Sequence, residues 1–136
     1  MAVGVIVDAG FLAALIERRE RHHDWAVTTA AQHPRPWQTC EAVLSEAFFL
    51  LDRRGTNALM ALLKRDQLST PFRFSDGKQA VVTLMQKYRD VPMSFADACL
   101  VRMTEIVAEP LLLTTDTHFR IFRRNGRQVV PCVLPG

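Results

Sequence analysis

Two kinds of apolar pattern alternate along this chain, and their alternation predicts the fold. Mainly apolar runs cover residues 3–7 and 111–115, and residues 37–40 form a shorter candidate strand. Strands that are buried on both faces of a parallel sheet have such uninterrupted runs. Between them, apolar residues recur every three or four positions, which is typical of amphipathic helices. Strands that alternate with helices indicate a mostly parallel central sheet covered on both faces, which is a three-layer α/β/α fold.

Prolines, glycines and the ends of the apolar patterns mark the remaining elements. We predict helices at 11–19, 24–32, 41–51, 57–65, 75–88 and 94–107. We also predict an edge strand at 70–74, where proline is tolerated, a helical turn within 117–124, a turn at 125–126 and a last strand at 129–133.

The segment 41–51 differs from the other predicted helices because it is apolar on nearly every side. Such a helix is expected to be largely buried. Arg53, Arg54 and Gly55 follow it, and cations and a glycine are typical of a helix end. We therefore expect this helix to close at these residues.

Length and composition narrow the class of protein. A chain of 136 residues, of which 49% are hydrophobic and 23% charged, is expected to form one domain over 1–136. No apolar run reaches the roughly 20 residues that span a bilayer, and the first residues do not resemble a secretion signal. We therefore expect a soluble, cytoplasmic protein. The net charge of +3 permits a polyanionic partner without requiring one.

The cysteines and histidines do not form a metal-binding pattern. Cys40, Cys99 and Cys132 are odd in number, far apart and set among apolar residues, so we expect reduced thiols in the core. No CxxC or HxxxH spacing brings two soft ligands together. Zinc is thus not expected.

Two acidic residues stand at the ends of the two long strands. Asp8 follows the run 3–7, and Asp116 follows the run 111–115. In a parallel sheet both carboxylates lie at the same edge, where open α/β sheets bind ligands, and they are neighbours if the two strands are adjacent. Either aspartate also suits the N-cap of the segment that follows it.

Two further acids lie on apolar stripes of predicted helices. Glu46 shares a helix face with Val43 and Leu50, and Asp97 shares one with Leu100. A carboxylate that faces the core has to be paired, hydrogen-bonded or bound to a metal, because burial of an unpaired charge is costly. Structural alternatives remain, since Asp97 is the third residue after Ser94 as in a capping box, and Glu46 can face a groove between helices.

Four acids in one domain point to a hard cation. Like charges that are brought close repel each other unless a cation neutralises them, and oxygen ligands select Mg²⁺ or Mn²⁺, which also engage phosphate oxygens. That is the chemistry of phosphodiester hydrolysis. We assign Asp8, Asp97 and Asp116 as candidate metal ligands, and Glu46 as a further ligand or as a residue that orients water.

Four short motifs, in this order, resemble a known family of nucleases. They are Val7–Gly10, Val43–Ala47, Tyr88–Ala98 and Leu113–Phe119. Together they are similar to the PIN-domain ribonucleases, and closely to the VapC-type toxins of bacterial toxin–antitoxin pairs. The resemblance covers nearly the whole chain, and the stretch 88–98 is its most specific part.

This resemblance implies an RNA-cleaving enzyme whose four acids, Asp8, Glu46, Asp97 and Asp116, bind Mg²⁺ or Mn²⁺. It also implies that the hydroxyl of Thr114 supports the metal site. Glu41 is the rival of Glu46, but it lies five residues earlier, points to another face and suits the first turn of a helix.

His118 departs from the family pattern, because some members carry another acid at this position. The number of metal ions is therefore open. The histidine either contacts RNA phosphate or is an exposed polar residue without a role in the reaction.

RNA binding and protein partners are the least defined expectations. Cations that follow Asp116 are candidates for phosphate contacts; they are Arg120, Arg123, Arg124 and Arg127. The resemblance implies a homodimer and a small antitoxin partner, which often silences the site with a basic side chain.

Other classes of protein fit the sequence less well. A haloacid-dehalogenase-like phosphatase needs an acid where Gly10 stands, and neither GxxxxGK nor GxGxxG follows the first strand. A catalytically silent PIN-like module that binds RNA or protein is the alternative, and the four intact acids argue against it.

Overall fold

A parallel sheet of five strands forms the centre of the computed structural model, which describes residues 2–136. Its strands are β1 (Gly4–Val7), β2 (Trp37–Gln38), β3 (Leu68–Ser69), β4 (Pro110–Leu113) and β7 (Cys132–Val133), and β5 (Arg123–Arg124) and β6 (Gln128–Val129) form a separate hairpin. The helices are α1 (Ala9–Ile16), α2 (His23–Gln32), α3 (Glu41–Leu50), α4 (Arg53–Lys64), α5 (Phe74–Lys87) and α6 (Phe95–Ile106), with a 3₁₀ turn at Thr117–Arg120.

The strand order is β3-β2-β1-β4-β7, and all neighbouring strands are parallel. The chain moves outward from β1 to β3 and then returns through α5 and α6 to the other side of β1. Right-handed crossovers place α1 to α4 on one face and α5 and α6 on the other. In agreement, α1 packs against α2, α3 and α4, while α5 packs against α6. The predicted three-layer architecture is therefore confirmed.

The two long strands, β1 and β4, are adjacent at the centre of the sheet. Val7 pairs with Leu113, and both are fully buried. The next residue of each strand is Asp8 or Thr114, so the register brings these two polar side chains together. The order in which strands are added to the sheet reverses between β1 and β4, and open α/β sheets bind ligands at such a point.

The interval between α3 and α4 differs from the prediction. Arg53, Arg54 and Gly55 do not close a helix but form the first turn of α4, and α3 has already ended at Leu50. Asp52 separates the helices because its carboxylate accepts a hydrogen bond from the Gly55 N–H at 2.8 Å. The aspartate cap outweighs the preference of cations for helix ends.

The predicted edge strand at 70–74 is also wrong. The strand lies earlier, at Leu68–Ser69, which pairs with β2, and Phe74 already begins α5. Pro71 has no N–H to donate to the ladder, whereas Leu68 fills a buried position. The last predicted strand, 129–133, divides into β6 and β7 around Val130 and Pro131.

Helix α3 is much less buried than its composition suggests. Among the residues of this helix, Val43 and Ala47 are the buried ones, whereas Phe49 is 89% exposed and Leu50 is 56% exposed. The expectation of a largely buried helix is wrong, because one face packs against α1 and the opposite face remains open.

Within residues 2–136, no helix is long and apolar enough to cross a membrane. The three cysteines are free thiols, as predicted.

Candidate active site

Asp8 combines two structural contacts at the end of β1. One carboxylate oxygen accepts a hydrogen bond from the Phe11 N–H at 2.8 Å, so Asp8 is the N-cap of α1. The other oxygen accepts a short hydrogen bond from the hydroxyl of Thr114. The side chain is 7% exposed. Each carboxylate oxygen has a second lone pair, so the cap leaves Asp8 able to bind a further group.

Thr114 links the two strand-end aspartates. Its hydroxyl donates to Asp8 and accepts a hydrogen bond from the Asp116 N–H at 3.0 Å. Asp116 in turn caps the 3₁₀ turn, since its Oδ1 accepts from the His118 N–H at 2.9 Å. The imidazole Nδ1 of His118 lies 2.9 Å from the same oxygen. Within residues 2–136, the second oxygen of Asp116 makes no such contact and is available to a ligand.

Asp97 enters the site from the first turn of α6. Its backbone N–H donates to Ser94 Oγ, and its Oδ2 accepts from the Ser94 N–H, both at 3.0 Å. This is the capping box that the Ser-x-x-Asp spacing indicated. The box uses one carboxylate oxygen, and Asp97 also lines the cavity described next.

One cavity of about 160 Å³ joins all four predicted acids at the carboxyl edge of β1 and β4. Its acidic lining residues are Asp8, Glu46, Asp97 and Asp116, and its apolar walls include Val43, Leu50, Ala96 and Leu100. Here α3 and α6 contact each other across the edge of the sheet. Residues from four separate parts of the chain therefore form a single acidic site.

Glu46 occupies the rim of this cavity. The side chain is exposed, so the expectation that it faces the core is corrected. The face of α3 that carries Glu46 borders the acidic cavity and solvent. The Glu46 carboxylate therefore does not need a buried partner. Glu41 does not line the cavity.

Burial and the charges of neighbouring carboxylates raise the pKa values of Asp8, Glu46 and Asp97. Burial is the largest influence on Asp8 and raises its pKa to about 7, although hydrogen bonds from Thr114 and the Phe11 N–H lower it; the charges of Asp116 and Asp97 raise it further. Burial also raises the pKa of Asp97, and so does the charge of Asp116. Burial and the charge of Asp97 raise the pKa of Glu46. Concentrated negative charge in a sheltered cavity favours a bound cation.

The donor set fits a hard divalent ion. No three histidine, cysteine, aspartate or glutamate side chains among residues 2–136 converge into a ready-made cage. Mg²⁺ does not need one, because it keeps several waters and is usually held by one or two carboxylates together with phosphate oxygens. Four carboxylates line this open cavity, and no cysteine or histidine of residues 2–136 lines it, so the donor set suits Mg²⁺ or Mn²⁺ and not zinc.

Gly10 and Thr115 also line the cavity, although sequence reasoning gave them no part in it. A Cβ atom at Gly10 would collide with the hydroxyl of Thr115. A glycine two residues after a strand-end acid, in the first turn of a helix, is the signal that could have identified this close approach.

The candidate RNA-binding arginines fall into two groups. Arg120 and Arg127 are exposed. The Arg123 guanidinium donates to the carbonyls of residues 120–122, and that of Arg124 donates to the Thr104 carbonyl at 2.6 Å. Thr104 is about 10 Å along α6 from Asp97. Arg123 and Arg124 thus hold the hairpin, whereas Arg120 and Arg127 are exposed to solvent.

Thr114→Val is expected to destabilise the protein by about 1–3 kcal/mol. The substitution leaves a buried oxygen of Asp8 and the Asp116 N–H without their partner. Urea unfolding measures the change, and Thr114→Ser, which keeps the hydroxyl, serves as the matched control. Equal unfolding midpoints for the valine and serine variants would contradict this role of the hydroxyl.

Comparisons with known proteins agree with this architecture. The family model of the PIN domain matches residues 5–125. Among solved structures, Mycobacterium tuberculosis VapC20, described as a sarcin-ricin loop cleaving toxin, superposes with a TM-score of 0.68 and 22% identity over 80% of this chain and 87% of that one. This likeness concerns the fold, and no curated protein matches the chain. Because the family model spans most of the sequence, the chain belongs to the PIN-domain family.

Proposed function

We propose that this protein is a metal-dependent endoribonuclease and the toxin of a toxin–antitoxin pair. The observation that carries the proposal is the single cavity at the carboxyl edge of β1 and β4, which four carboxylates line. Membership of the PIN-domain family supports RNA phosphodiester hydrolysis as the reaction.

Each acid has a distinct place in the proposed reaction. Asp8, Asp97 and Asp116 would hold Mg²⁺ or Mn²⁺, and Glu46, on the exposed rim, would orient water or add a ligand. Such an ion, when bound, supplies an acidified water and positive charge at the phosphate. The hydroxyl of Thr114 holds the carboxylate of Asp8 in a fixed orientation, so that the acid is positioned before substrate arrives.

The proposed partners follow from the same assignment. RNA is the substrate, and the structural neighbour's description as a sarcin-ricin loop cleaving toxin makes structured ribosomal RNA one candidate. A small antitoxin would block the site, and the enzyme would act as a homodimer in the cytoplasm. Of the four candidate arginines, Arg120 and Arg127 are the ones exposed for phosphate contacts.

Cleavage of total RNA tests this function directly. The purified protein, free of antitoxin, is expected to cut RNA with Mg²⁺ or Mn²⁺ and to stop when a chelator is added. Asp97→Asn is expected to lose this activity, since it removes a ligand charge while its amide oxygen can still accept the capping hydrogen bond from Ser94. Glu41→Gln is the matched control, because Glu41 lies outside the cavity.

Two outcomes would oppose the proposal. Equal cleavage by wild type and Asp97→Asn would show a contaminating nuclease. Tight metal binding by wild type with intact RNA would favour the catalytically silent module instead.

A further inference from the structure

A second, shallower cavity lies beside the acidic one along α3. It has a volume of about 350 Å³ and is lined by Ser45, Glu46, Phe49 and Leu50. Glu46 and Leu50 line both cavities, so the two spaces are adjacent. We call these four residues the α3 shelf.

Phe49 is the outstanding residue of the α3 shelf. With 89% of its surface exposed, it is the most exposed of the large apolar side chains in residues 2–136. It lies three residues after Glu46, and side chains at this spacing are neighbours about 5–6 Å apart on a helix. In the described part of the chain, Phe49 has neither a core position nor an aromatic partner, whereas Phe74 and Phe95, also exposed, contact each other.

We propose that Phe49 binds an unpaired nucleobase next to the bond that is cleaved. The inference rests on the proposed function, because a phosphate engaged by a metal ion at the four carboxylates would place a flanking nucleotide beside the rim at Glu46. The α3 shelf has no cation to attract a second phosphate. A flat aromatic ring instead suits the face of a base, and such stacking accepts any base because every base has a π-face.

This contact selects RNA whose target nucleotide is unstacked. A base that is paired within a duplex does not present its face to Phe49, whereas a base in a loop or single strand does. Leu50, which is 56% exposed, extends the apolar surface toward the cavity. Phe49 is thus a binding residue that determines which RNA structure enters the site.

RNA binding by Phe49 variants tests the proposal separately from catalysis. All proteins carry Asp97→Asn, so that RNA stays intact, and the probe is a short, dye-labelled, unpaired oligoribonucleotide followed by fluorescence anisotropy. We expect Phe49→Leu to weaken binding about tenfold or more, and Phe49→Trp to bind within about twofold of the parent. An oligonucleotide without bases at its central positions should bind all three proteins alike. Ile106→Ala, which removes an exposed apolar side chain at the far end of α6, should have no effect.

The outcomes separate this proposal from the proposed nuclease function. Equal RNA affinity of Phe49→Leu and its parent overturns the base contact, and so does an equal loss in the leucine and tryptophan variants. A change of oligomeric state in Phe49→Leu with unchanged RNA affinity, seen by sedimentation, would assign the α3 shelf to a protein interface. With Asp97 restored, absence of cleavage by wild type counts against the nuclease, whereas equal cleavage of unpaired RNA by wild type and Phe49→Leu counts only against Phe49.

Discussion

Asp8→Asn is expected to lower RNA cleavage by about 1000-fold or more while it stabilises the metal-free protein above pH 7. The loss of activity follows because the substitution removes a proposed metal ligand. A bound metal supplies several kcal/mol of transition-state stabilisation, and each 1.36 kcal/mol corresponds to a factor of ten in rate.

The gain in stability arises because the substitution removes a buried charge. The pKa of Asp8 rises from 3.8 to about 7 on folding, chiefly through burial. The folded state therefore prefers the protonated acid, and the stability that this preference contributes is present below pH 3.8 and is lost as pH rises through about 7. The shift of about three pKa units corresponds to a loss of up to ~4 kcal/mol. The neutral amide of the asparagine variant escapes this loss.

Urea unfolding in the presence of a chelator measures the effect at pH 5 and pH 8. The wild type should lose stability between these values, and Asp8→Asn should lose clearly less. Glu41→Gln, outside the cavity, should follow the wild type. A variant whose stability falls as steeply with pH as that of the wild type would show that Asp8 does not carry this burial penalty.

Metal affinity is expected to fall about 100-fold from pH 8 to pH 5. A carboxylate has to lose its proton before it binds a metal, and Asp8, with a pKa of about 7, is largely protonated at pH 5. The pKa values of Asp97 and Glu46 are also raised, so protonation of these two acids weakens metal binding further as the pH falls. Calorimetric titration of the metal-stripped protein with Mn²⁺ at both pH values measures the ratio.

The control for this titration is again Glu41→Gln, which should keep the full pH dependence. Asp8→Asn should bind Mn²⁺ weakly at every pH. An affinity that changes less than threefold over this range would mean that Asp8 is ionised throughout or is not a ligand.

The central strands and their acids could be predicted because their signals are local. An uninterrupted apolar run that ends in an acid identifies a buried strand and its ligand-binding end, as at residues 3–8. The capping roles of Asp8, Asp97 and Asp116 were likewise visible as alternatives, and the structure contains them. Capping and cavity lining are compatible, because each carboxylate has more acceptor positions than its cap uses.

Predictions failed where distant neighbours decide, where two local preferences compete, or where the local pattern is too short. Helix α3 is apolar on nearly every side, yet Phe49 and Leu50 lie open, because burial depends on which helices pack against it. Arg53 to Gly55 begin a helix because Asp52 caps them, a competition between two local preferences that the residue types alone do not decide. The strand at Leu68–Ser69 was misplaced because two residues carry too short a pattern.

The sequence by itself determined the alternation of strands and helices, the acids at their ends and the resemblance that joins them. Only the tertiary structure decided that β1 and β4 are adjacent, that Thr114 donates to Asp8, and that Glu46 stands on the rim of the cavity. The physical reason is the distance along the sequence between the residues that interact. Strand formation and helix capping depend on residues within a few positions of each other, whereas a cavity and its electrostatics depend on groups that approach only after the whole sheet is assembled.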